Sequence, residues 1–263
     1  MMSATRPLAE RVSSASDWQV GLLRATAFCL SPPDLSGIKW WELVVGAPAE
    51  VRNVRAGAGQ LIEQGLVENR SLQLQIVLAR VDWIFAAKEE SDGDAFPLLG
   101  GFEESVRPFL ALISRWLEAA PSLNRLAFGA QLYIPTRDVA EARRHVARIL
   151  PYVKLDWEHI RDFIFRVNRP RPFLAWPEVG ELNRIATVGA VSRKKVVATL
   201  LPEPQVAVPV KEEFSASLEL DINMPPLDVR QEIPRERRIQ IFDELVSNAR
   251  EIAERGILDE HGN

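Results

Sequence analysis

Residues 61–67 (LIEQGLV), 71–78 (SLQLQIVL) and 81–85 (VDWIF) decide the fold. Leu72, Leu74, Ile76 and Leu78 alternate with Gln73, Gln75 and Val77, and after Ala79-Arg80 the two-residue period continues in Val81, Trp83 and Phe85. Successive side chains of a strand point to opposite faces, so this spacing gathers the apolar residues on one side. The short breaks between the three runs predict an antiparallel meander.

Moving toward the N-terminus, residues 22–30 form another apolar run, stopped by Ser31-Pro32-Pro33, and are predicted as a strand. After Asp34-Leu35-Ser36, the spacing of Trp40, Trp41, Val44 and Val45 before Gly46 predicts a short helix with a glycine stop. Moving toward the C-terminus, the charged stretch 88–94 reads as an exposed loop. A helix is predicted over 102–119, where Val106, Phe109, Leu110, Ile113, Trp116 and Leu117 share a face. Pro108 requires a first-turn position or a kink there, and Pro121 closes the segment.

The order then restarts. A strand is predicted over 125–134, ended by Pro135, and a helix over 137–150, with Val139, Ala142, Val146 and Ile149 on one side. Strands are predicted over 160–167, 181–189, 191–200 and 214–222. The last helix opens at Pro234, carries Ile241, Phe242, Leu245, Val246, Ala249, Ile252 and Ala253, and stops at Gly256.

These elements give an α+β chain: a largely antiparallel, curved sheet with helices packed on one face. The order suggests a tandem β-α-β(3–4)-α duplication, with halves over 21–122 and 123–258 in one continuous domain. An N-terminal tail (1–20) and a C-terminal tail (259–263) flank them. Identity between the halves is negligible, so element order alone carries this, and an undivided α+β chain parses in the same way. The arrangement is similar to the tandem saddle of the TATA-binding-protein type, a fold analogy that implies no ligand.

Composition bounds the function. Of 263 residues, 47% are apolar and 26% charged, the mix of a globular protein rather than a disordered chain. No apolar run reaches the roughly 20 residues of a bilayer span. The polar start lacks a secretion signal. The one cysteine, Cys29, lies in an apolar run and reads as a buried structural thiol, which excludes an internal disulfide and multi-cysteine zinc sites. A reducing cytoplasm is the expected compartment.

Charge is uneven. Residues 125–195 hold 14 basic against 7 acidic side chains, and residues 196–263 hold 7 against 14. The stretch 163–172, FIFRVNRPRP, interleaves arginines with Phe163 and Phe165, and its prolines hold the chain extended. Arg161, Arg166, Arg169, Arg171 and Arg184 are therefore the candidate contacts for a partner or a phosphate. The competing reading pairs these arginines with the acidic C-terminal helix, and it is the favoured one.

No phosphate-binding loop and no Gly-x-Ser-x-Gly elbow occurs, and Ala56-Gly57-Ala58-Gly59 lacks the strand-to-helix context of a dinucleotide fingerprint. Asp156, His159 and Asp162 would share one side of a helix and suit a metal; solvated turn residues are the preferred reading. No metal, cofactor or catalytic residue is assigned.

Leu182-Asn183-Arg184-Ile185, then 218–223 (LELDIN), then a long amphipathic helix resemble the C-terminal part of a sporadically distributed bacterial family of uncharacterised proteins. This chain carries Glu181 where that family has an aromatic residue. The resemblance implies an α+β bacterial cytoplasmic protein and transfers no catalytic residue.

The reading is a non-catalytic interaction or assembly component, with a protein partner or self-association and no membrane. Its support is the broad sheet and the tryptophans Trp40, Trp41, Trp83, Trp116, Trp157 and Trp176. The alternative is a nucleic-acid-binding module using residues 125–195.

Overall fold

A computed structural model describes residues 18–88, 97–157, 159–197, 208–228 and 230–257. The first half runs β1 (Gln19–Cys29), α1 (Trp40–Val45), β2 (Val51–Arg55), β3 (Gln60–Val67), β4 (Arg70–Val77), β5 (Arg80–Ala87) and α2 (Phe102–Ala119). The second runs β6 (Leu123–Thr136), α3 (Val139–Ile149), β7 (Ile164–Asn168), β8 (Arg171–Pro172), β9 (Glu181–Val197), β10 (Val208–Asn223) and α4 (Arg238–Arg255).

All strands join one antiparallel sheet in the order β2-β3-β4-β5-β1-β6-β10-β9-β7, with β8 also paired to β9. The β-α-meander-α order therefore recurs. In each half the last meander strand lies beside the first strand, β5 on β1 and β10 on β6. The halves meet where the equivalent strands β1 and β6 pair antiparallel, Ala25 opposite Phe128. Because the meanders put apolar residues on one face, the helices all cover that face. Trp41 of α1 stacks on Trp83 of β5, with ring centroids 6.3 Å apart. The chain of rings then runs from Phe85 through Phe109 and Phe128 to Phe242, crossing both halves in one core. All six tryptophans offered as interface candidates pack into or against this core, which removes one support for the interaction reading.

Several boundaries differ from expectation, each for a physical reason. Trp18 is 2% exposed and β1 starts at Gln19, inside the expected N-terminal tail. Trp18 lines a small cavity together with Ile149, Leu218 and Ile252, and its burial orders the chain there. β2 has no apolar alternation to reveal it, since all five of its residues are exposed. Pro135 does not end β6: the strand runs through it to Thr136, with Pro135 opposite Ser215 of β10. β9 is one strand through Ala190 rather than two. β7 starts four residues later than expected, and α4 follows a 3-10 turn over Arg235–Arg237. Pro108 sits in the second turn of α2, and the helix continues through it. The expected loop 88–94 and tail 259–263 lie almost wholly outside the described residues.

Asp138 caps α3, accepting a hydrogen bond from the Glu141 N–H at 2.7 Å, while Glu141 accepts from the Arg137 N–H at 3.0 Å. No helix among the described residues is long and apolar enough to cross a membrane.

Cys29 is buried in β1 at 4% exposure, as expected. Burial pushes its thiol up to about 11, against a smaller lowering by Arg238. At pH 8 the thiol of the folded protein is expected to resist thiol reagents and to react only on unfolding. A thiol titration with and without denaturant checks this; full reaction in the native state would contradict it.

Candidate functional site

The face opposite the helices is covered by no described helix and mixes polar side chains with Leu22, Ile62, Ile84 and Ile185. It carries Gln73 and Gln75 of β4, Arg24 and Thr26 of β1, Gln131 and Tyr133 of β6, Glu219 and Asp221 of β10, and Thr187 of β9, neighbours by strand register. Side-chain hydrogen bonds run across and along the strands. In the first half Gln64 donates to Gln73, Gln73 to Gln75 at 3.2 Å, and Thr26 to Asp82 at 2.6 Å. In the second half Asn168 donates to Asn183 at 2.9 Å and Asn183 to Asn223 at 3.0 Å. Arg125 also donates to Asn223, at 2.9 Å, and Asn223 donates to Asp221 at 3.0 Å. Such ladders hold each side chain in one orientation, so the surface is preorganised. Arg24 lies near the middle, its guanidinium over Gly129, 3.5 Å from where a β-carbon would sit. Sequence inspection missed Arg24, because an isolated arginine in a strand gives no sign of a central position.

The five predicted arginines do not form one site. Arg161 is exposed before β7, and Arg166 is exposed on the open face of that edge strand. Arg169, Arg171 and Arg184 gather instead at the end of α4. Arg171 pairs with Glu251 at 2.7 Å, Arg184 lies 3.6 Å from the same carboxylate, and Arg169 donates to the Ile257 carbonyl at 3.1 Å. Arg184 is 7% exposed. Burial lowers its pKa, Glu251 raises it, and Arg171 and Arg169 lower it further. Asn183 and Arg184, adjacent in sequence, thus serve opposite faces: one joins the open-face ladder, the other ties β9 to the last helix.

Glu251→Ala is expected to cost about 1–3 kcal/mol, because it strands a buried guanidinium among like charges. Urea unfolding measures it. A loss no larger than that of Glu254→Ala would show that Arg184 is compensated elsewhere.

Asp156 and His159 form an exposed pair, Nδ1 to Oδ2 2.9 Å. Asp162 has φ 57° and belongs to a turn rather than a helix, so the three do not share a helical side. No group of three metal-ligating side chains converges among the described residues.

On the helix side, Glu63 of β3 is 2% exposed, bonded to Arg52, with its other carboxylate oxygen lacking a hydrogen-bond partner. Burial raises its pKa above the ordinary 4.5, Arg52 opposes this, and Glu42 adds to it. The native state therefore holds the Glu63 proton more tightly than the unfolded chain. This contribution to stability is greatest at and below pH 4.5 and is lost as pH rises through the raised value. Glu63→Gln is expected to remove that component, so its stability relative to the parent improves from pH 5 to pH 8. Denaturant unfolding at both pH values checks the sign.

No protein-family model matches the chain, and no curated protein matches it.

Proposed function

We propose that this protein is a non-catalytic interaction or assembly component that presents the open face of its sheet to a protein partner. One observation carries the reading: a surface spanning both halves, its polar side chains fixed in hydrogen-bonded ladders and its charges mixed in sign. Arg24, Arg125 and Arg166 stand among Glu219 and Asp221, a pattern suited to the mixed charges of a protein surface. Arg166 is the predicted arginine best placed for this contact.

The nucleic-acid reading of residues 125–195 draws less support. Arg171 and Arg184 are turned to Glu251, Lys194 lies 3.5 Å from Glu212, and Arg193 stacks 4.2 Å over Tyr133. A gel shift weakening as salt rises would favour it.

The test is co-purification from the native host with the parent chain and with Arg166→Glu/Glu219→Lys. A partner retained by the parent and lost by the variant is the expected result. A lone monomer, with neither partner nor self-association, would overturn the reading.

A further inference from the structure

The two edges of the sheet, β2 and β7, are finished differently. The second-half edge is β7 followed by β8, where Pro170 and Pro172 interrupt the row of N–H donors. Proline on an edge is one of the devices that stop strands from adding to it. The first-half edge, β2, reads Val51-Arg52-Asn53-Val54-Arg55 with no proline and, among the described residues, pairs only with β3. Large apolar side chains are exposed on both sides of it. Val51 (52%) and Leu66 (38%) stand on the open side, and Val54 (43%) stands on the helix side.

We propose that β2 is a self-association edge, pairing antiparallel with β2 of a second copy about a twofold centred on Asn53. The strand is self-complementary in this register. Val51 falls opposite Arg55 of the other copy and Arg52 opposite Val54, so no arginine directly faces another across the strand pair. Arg52 is already bonded to Glu63 and to the Ile38 carbonyl at 3.3 Å, which reduces the charge it brings to the edge. The chain already uses this construction once, in the antiparallel joining of β1 and β6. Extending it gives a closed twofold dimer with a continuous sheet. The contact is short, on the order of 1,000 Å², so dissociation in the micromolar range is expected.

The inference deepens the interaction reading by naming an edge and its occupant, and it uses neither Arg166 nor Glu219. Sedimentation velocity on the full chain from about 1 to several hundred micromolar should show a concentration-dependent dimer. Val51→Lys/Val54→Lys, both at exposed positions, should shift the midpoint at least tenfold toward monomer. Asn53→Cys should form a disulfide-linked dimer under mild oxidation, because residues facing across the axis have Cα atoms within reach of a disulfide; Ile164→Cys on the other edge should not. A parent chain that stays monomeric throughout, a dimer indifferent to the lysines, or a heterologous strand captured in place of a second copy would overturn the proposal. If co-purification still responds to Arg166→Glu/Glu219→Lys, the interaction reading survives that failure.

Discussion

Arg238→Ala is expected to destabilise the protein by about 3–5 kcal/mol. Arg238, the first residue of α4, is 1% exposed. Its guanidinium donates to the Ala120 carbonyl at 2.8 Å, to the Leu117 carbonyl at 3.5 Å and to the Ile233 carbonyl at 3.4 Å, and meets Glu232 at 3.0 Å. The first two acceptors belong to the end of α2, where helix carbonyls have no partner within the helix. One side chain thus terminates α2, holds the start of α4 and fills core volume. Burial lowers its pKa, with Glu232 opposing, so the charge is kept by its partners. Alanine removes the donors and leaves a cavity; Arg238→Met restores the apolar volume but no donor, and is expected to recover less than half of the loss. Urea unfolding of both variants separates the two effects. A methionine variant as stable as the parent would show that the carbonyl contacts contribute little.

Trp83→Ala should cost a similar amount, about 3–5 kcal/mol. Trp83 has no exposed surface and lies between Trp41, at 6.3 Å, and Trp116, at 6.2 Å. α1 has only six residues, too few to be stable alone, and Trp41 anchors it on Trp83. The variant should therefore lose protection from hydrogen exchange over residues 40–45 before the rest of the sheet opens. The Trp83 indole N–H has no hydrogen-bond partner, so Trp83→Phe forfeits no such bond and should cost about 1–2 kcal/mol. Equal losses for alanine and phenylalanine would mean that ring packing is not the source of the stability.

The meander was legible because Leu72, Leu74, Ile76, Val81, Trp83 and Phe85 all face one core, so burial imprinted a period of two on the residues themselves. β2 was not legible, because an edge strand exposed on both faces carries no such imprint. The division of β9 at Ala190 failed for a related reason: a glycine and an alanine at 189–190 look like a break, yet β10 pairs straight across them. Of the five arginines proposed as contacts, Arg166 lies on the open face, while Arg171 and Arg184 meet a carboxylate on a helix more than 60 residues further along the chain. Their high local charge was real, but its counterion came from elsewhere in the sequence.

From the residues alone came the element types, their repeated order and the one-sided burial, since backbone propensity and side-chain alternation are settled among near neighbours. The tertiary structure decided which strands became edges, which charges were neutralised and which polar residues line the open face. Those depend on contacts between segments far apart in the chain, and an edge or an ion pair exists only once the sheet has closed the distance between them.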